Sequence, residues 1–277
     1  MPFHPLQTHT AIKITRAFTT IGSAPLLVMD ESFEQIFTKT YNVSPPRTEL
    51  INEVFCANAL KLWGVTVPEI CLVNIPYELV LQYNAENATP ISSTRYRKEH
   101  FDLPFFGSKA ISPVVDLLDF LPGITSKEMD LFHQPEDLLK IGIFDHWVGN
   151  KDRKPDNPNL LLMSDSGKFK FCAIDHTAAF AYLSNYREVR DIMIQLTGNS
   201  SILYSPLAKN IIDFLPLPTK QIIRQDILQC MERVLDEFDD MVDVVPQEWG
   251  FSKKSKTHLK DFFGDKERNS RIVNYLK

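Results

Sequence analysis

The sequence predicts an α+β protein of two lobes, a strand-rich front lobe over residues 1–112 and a mainly helical back lobe over residues 113–277. Three observations support this. Short apolar stretches with period-two spacing, parted by turn residues, run from Ala11 to Tyr41. An apolar helical stretch, Leu138 to Val148, meets a polar loop, Gly149 to Asn159, and then a hairpin. Beyond Phe180 the apolar spacing is helical.

In chain order, Ala11 to Thr20 alternates roughly and reads as a strand, and Ile21-Gly22-Ser23-Ala24-Pro25 is a turn. Pro25 to Met29 is a short apolar strand, and Asp30-Glu31-Ser32 turns the chain again. In the third strand, Phe33 to Tyr41, residues Phe33, Gln35, Phe37 and Lys39 lie two apart. Thr48 suits a helix N-cap; Leu50, Val54, Ala57 and Leu60 follow helical spacing, and Gly64 ends the run. Pro68 opens an extended segment to Asn74, whereas Pro76 to Tyr83 suits a helix or a strand. The polar stretch from Asn84 to His100 reads as a surface loop. Apolar character returns at Leu103 to Ser108 and at Ile111 to Phe120, broken by Pro113. Leu160 to Met163 is a strand, Ser164 to Lys168 a turn, and a second strand ends at Asp175. Residues 211–214 and 220–245 carry helical spacing, with Pro246 as a stop, and the charged stretch 253–277 reads as a surface helix.

Bulk properties narrow the function. A chain of 277 residues, 44% hydrophobic, suffices for one two-lobed domain. Its 30 basic and 35 acidic residues give a net charge of −5, which argues against direct nucleic-acid binding by charge alone. Cysteines 56, 71, 172 and 230 show no CxxC spacing and suit buried thiols in a reducing compartment. The N-terminus has no basic and apolar signal pattern, and no apolar run reaches about 18 residues. The expectation is a cytoplasmic protein without membrane contact.

The loop carries the chemistry. Phosphoryl transfer needs an acid that orients the acceptor hydroxyl, and hard oxygen ligands for magnesium. Asp152 fits the first role; Asn157, five residues on, and Asp175, beyond the hairpin, fit the second. Kinase catalytic loops carry this order. Asn159 competes for the amide role because it abuts the apolar strand. Taken alone, Asp-Arg and Asp-Asn-Pro are ordinary turn chemistry; the preceding helix and the acid after the hairpin shift the balance. Lys39 is the candidate phosphate cation, sharing a strand face with Phe37, and Glu53 on the next helix is favoured over Glu49 as its partner. Gly22 and Ser23, in the first turn, are weak candidates to cover phosphates, since neither GxGxxG nor GxxxxGK[ST] occurs. His146 and His176 fit magnesium poorly; Arg153 and Lys154 suit bracing or phosphate contact.

Gly149-Asn150-Lys151-Asp152-Arg153 with Asn157 resembles the catalytic loop of the HipA-like kinases. Asn52 to Cys56 and Leu62 to Pro68 resemble the helix and strand of their front lobe. Ile174-Asp175-His176 resembles their metal segment and, distantly, that of phosphatidylinositol kinases. The resemblance implies a protein-kinase-like fold and an ATP- and Mg²⁺-dependent kinase acting on protein Ser or Thr. Asp152 would be catalytic, Asn157 and Asp175 would hold metal, Lys39 would contact phosphates steadied by Glu53, and adenine would lie near Phe106 to Val115. Lys154 departs from the family's histidine. The chain resembles the kinase core alone, and an antitoxin-like partner is not visible in it. A small-molecule or lipid kinase, and an inactive nucleotide-binding adaptor, are the alternatives.

Overall fold

A computed structural model of the chain describes residues 3–18, 24–39, 46–92 and 96–276. The alternating stretches of the front part form strands β1 (Thr8–Ala17), β2 (Leu26–Asp30) and β3 (Gln35–Lys39), paired antiparallel in succession. Helix α1 (Thr48–Leu62), strand β4 (Ile70–Asn74), helix α2 (Tyr77–Glu86) and strand β5 (Phe105–Lys109) follow. The five strands close into a barrel in the order β1-β2-β3-β5-β4, sealed by parallel pairing of β1 with β4. Its interior is apolar, with Leu26, Val28, Ile36, Cys71, Val73 and Phe105 buried.

Helix α1 is buried along its length from Leu50 to Leu60. A helix enclosed on all sides must satisfy its polar side chains internally. Its three buried polar residues, Asn52, Glu53 and Asn58, each bond a distant segment. Arg47, not Thr48, occupies its N-cap position, and no side chain caps the helix; Thr48 is the first helical residue. The segment after Pro76 is helical and runs to Glu86, so the expected surface loop begins later than its polarity suggested.

Strand β6 (Val114–Asp116), helix α3 (Asp137–Val148), and strands β7 (Leu160–Asp165) and β8 (Lys168–Ala173) lead into the back part. Strands β6, β7 and β8 form a separate antiparallel sheet. Its tight turn uses Ser166 at φ 51° and Gly167 at φ 81°. Two successive left-handed residues match the right-handed strand twist. The turn is therefore shorter than expected, and β8 ends at Ala173, two residues before Asp175.

Helices α4 (Asp191–Ile194), α5 (Pro206–Phe214), α6 (Leu217–Asp236), α7 (Phe238–Asp243), α8 (Lys253–Phe263) and α9 (Lys266–Val273) complete the chain. The expectation of one charged surface helix at the end is corrected. Two helices occupy that stretch, and Leu259, Phe263, Ile272 and Val273 are buried. Phe263 stacks on Phe55 of α1 with ring centroids 5.4 Å apart and lies 4.2 Å from Trp147 of α3. All four cysteines are buried and free. No helix among the described residues is long and apolar enough to cross a membrane.

Candidate active site

Helix α3 ends at Gly149, which takes the left-handed conformation at φ 68°. A Cβ there would sit 2.3 Å from the Ile194 Cβ, so backbone angle and close packing both require glycine. The chain then turns through Asn150, whose side-chain oxygen accepts from the Asp152 N–H at 3.2 Å. The Asn157 amide nitrogen donates to the Asp152 main-chain carbonyl at 3.3 Å, and that of Asn159 to the Asp152 carboxylate at 3.2 Å. Both candidate amides are therefore gathered on Asp152. The Asn159 carbonyl accepts from the Ile174 N–H at 3.1 Å, which sets the loop beside the residue preceding Asp175.

Arg153 fixes this arrangement from beneath. Its side chain is fully buried and paired with the equally buried Asp145 of α3. It also donates to the carbonyls of Ile174 and Asn159 and contacts the His176 ring at 3.2 Å. Of the two expected roles, phosphate contact and bracing, this geometry fits bracing. Burial pushes the Asp145 carboxyl up to about 7, against the pull of Arg153. Burial also drives the His176 imidazole well below its usual range, with the Arg153 and Lys39 cations adding to it. Lys151 bonds the Met193 carbonyl at 3.1 Å, and Lys154 pairs at 3.5 Å with the exposed Asp156.

Across the cleft, Lys39 ends strand β3 and meets Glu53 at 2.5 Å and Asp175 at 2.7 Å. It also donates to the Thr177 hydroxyl at 3.2 Å. Burial works against the Lys39 charge; the Glu53 and Asp175 carboxylates outweigh it and hold the ammonium above the usual lysine range. Burial would likewise raise Asp175, but Lys39 brings its carboxyl down to about 2. Asp175 itself sits at φ 55°, a strained conformation of the kind found at functional sites. Lys39, Glu53 and Asp175 form the polar wall of a cavity of about 340 Å³. Phe37, Phe106, Ile111, Val114, Leu161 and Ile174 supply its apolar lining.

The sequence-predicted residues thus fall into two groups. Lys39, Glu53 and Asp175 touch one another; Asp152, Asn157 and Asn159 share the neighbouring loop. Gly22 and Ser23 lie outside the described residues. His146 does not line the cavity; it is bonded to Ser201 at 3.1 Å and packed against the Tyr275 ring. Sequence reasoning missed Asp145, Thr177 and Asn52. Asp145 had one signal, an acid within a mostly apolar helix ending just before the loop.

The family model described as HipA-like kinase matches residues 12–270. The Helicobacter pylori proinflammatory kinase CtkA superposes with a TM-score of 0.52 at 16% identity, over 98% of this chain and 96% of that chain. HipA of Shewanella oneidensis MR-1, solved with HipB and operator DNA, gives a TM-score of 0.48 at 10% identity, over 94% and 65% of the two chains. The Golgi casein kinase with Mn/ADP gives 0.48 at 12% identity, over 99% and 73%. No curated protein matches the chain in sequence.

Proposed function

The chain belongs to the HipA-like kinase family, and from that premise we propose that it transfers the γ-phosphoryl group of ATP, with Mg²⁺, to a protein Ser or Thr hydroxyl. The carrying observation is the Lys39–Glu53–Asp175 cluster, set in the lining of a largely apolar cavity. The apolar lining suits a purine ring, and the Lys39 ammonium suits the phosphates. Glu53 holds that ammonium in the cleft.

The donor set fits a hard cation. Asp175 offers a carboxylate, and Asn157 or Asn159 an amide oxygen, since both amide nitrogens are engaged within the loop. When bound, magnesium would neutralise phosphate charge. The chain's own residues do the rest. Asp152 receives the acceptor hydroxyl proton on a carboxylate oxygen as the acceptor oxygen bonds the γ-phosphorus. The bond from phosphorus to the β–γ bridging oxygen breaks, its electrons leaving with ADP. Arg153, pinned by Asp145, keeps Asp152 and the amides in register with Asp175.

Titration calorimetry with ATP tests the site. Wild type is expected to bind ATP with a clear dependence on Mg²⁺, Asp175→Asn to lose that dependence, and Lys39→Met to bind more weakly at any metal concentration. Of Asn157→Ala and Asn159→Ala, the variant that loses metal dependence marks the amide ligand. Asp175→Asn binding with undiminished metal dependence would sink the metal assignment. Labelled ATP separates acceptors: a labelled protein band supports protein Ser/Thr, whereas label found only in a small-molecule or lipid fraction refutes it.

A further inference from the structure

Helix α1 grips the segment after Asp175 through hydrogen bonds from two adjacent side chains. The Asn52 amide nitrogen donates to the carbonyls of Thr177 at 2.9 Å and Ala179 at 3.0 Å. The Glu53 Oε1 accepts from the His176 N–H at 3.0 Å and the Thr177 hydroxyl at 2.9 Å. Asn52 is itself held by the buried Tyr186 hydroxyl at 2.7 Å. The Thr177 hydroxyl also accepts from Lys39 at 3.2 Å, closing a triangle with the 2.5 Å Lys39–Glu53 pair. A hydroxyl has one proton to donate and lone pairs that accept, so Thr177 donates to one end of the ion pair and accepts from the other.

We infer that Thr177, backed by Asn52, is a positioning residue that locks the Lys39–Glu53 pair and Asp175 into one unit before any nucleotide arrives. The inference rests on the nucleotide site proposed above and adds to it the part that presets its geometry. A helix carrying the glutamate could otherwise swing apart from the segment carrying the metal acid. Here one hydroxyl and one amide join them directly, in a half-buried setting shielded enough from water for the loss of such bonds to be felt. Thr177→Val keeps the shape and deletes the hydroxyl; Thr177→Ser keeps the hydroxyl and deletes a methyl.

The test compares wild type with these two variants by calorimetric binding of Mg·ATP, thermal melting and amide hydrogen exchange over residues 175–179. With a hydrogen bond to a charged group lost, nucleotide binding must itself supply the ordering that the bond gave, which corresponds to about a tenfold weaker affinity. Thr177→Val is therefore expected to bind Mg·ATP about tenfold more weakly and to exchange the His176 amide faster without ligand. Thr177→Ser is expected to match wild type in both. Thr177→Val with wild-type affinity and exchange overturns the inference, as does Thr177→Ser as weak as Thr177→Val. If Thr177→Val melts more than about 4 °C below wild type, exchange in wild type and Thr177→Ser decides: protection at the His176 amide kept in both supports the lock, and its absence in wild type overturns it. Wild type that binds no nucleotide overturns the proposed function, and the lock with it; wild-type binding unchanged in Thr177→Val overturns the lock alone.

Discussion

Replacing Arg153 by methionine removes a fully buried cation from the candidate catalytic loop. The guanidinium is fully buried and bonded to the Asp145 carboxylate and to two main-chain carbonyls. Breaking a buried ion pair from one side destabilises a protein by about 3–5 kcal/mol. The two halves of this pair should differ. With Arg153 gone, Asp145 can take up a proton, and burial has already pushed its carboxyl up to about 7. Neutralising it at pH 7 thus adds little, and Arg153→Met belongs near about 3 kcal/mol. With Asp145 replaced by asparagine, the guanidinium cannot shed its charge, which places Asp145→Asn near about 5 kcal/mol. The double variant Asp145→Leu with Arg153→Met removes both charges of the pair and should recover most of the stability. Urea unfolding followed by tryptophan fluorescence reads all three, because Trp147 lies on the same helix as Asp145. Arg153→Met costing under about 1 kcal/mol, the range of an exposed pair, would refute the burial argument. Asp145→Asn milder than Arg153→Met would refute the ionisation argument.

Other consequences follow from single positions. Gly149→Ala forces a Cβ into Ile194 at a left-handed φ; the conformational penalty and overpacking together predict a loss of about 2–5 kcal/mol by urea titration, and a neutral result would contradict the packing. His146 is buried, and its imidazole is pushed down to about 4. Its folded pKa lies below the unfolded value of about 6.5, so its stabilising share is present above pH 6.5 and is lost as pH falls toward 4. The loss is about 3 kcal/mol over that window, and His146→Gln should flatten the stability profile there; an unchanged slope would count against it. Lys39→Met leaves burial to dominate at Asp175, so its carboxyl should move upward from about 2, as read by carbon-13 NMR titration; an unmoved carboxyl would mean that Lys39 does not set it.

The local parts of this structure were legible because their signals are local. Gly149, the Asn and Pro residues of the loop, and Ser166-Gly167 each dictate backbone geometry where they stand. Period-two spacing gave β1 to β3, and the shared face of Phe37 and Lys39 does meet the cavity. What stayed hidden depends on distant partners. Strand β5 inserts between β3 and β4, a pairing no short window encodes. Thr48 resembles a cap, yet the Arg47 guanidinium and N–H both reach back to residues 248–249, so the helix start is set by a tertiary contact. The charged C-terminal stretch looked solvent-facing because its apolar residues are sparse; Phe263 and Arg268 nevertheless close the core around Trp147. Thr177 and Asn52 carried no pattern of their own, since their significance lies in the bonds they make to each other's segments.

We propose above that Asp152 acts at a metal-dependent nucleotide site. This role is tested most directly by phosphoryl transfer from γ-labelled ATP, comparing wild type with Asp152→Asn in the presence and absence of Mg²⁺. The expected result is Mg²⁺-dependent labelling by wild type and a loss of about 10²–10⁴-fold in Asp152→Asn, with ATP binding retained. Transfer by Asp152→Asn at the wild-type rate, or transfer by wild type that ignores divalent metal, would contradict the account.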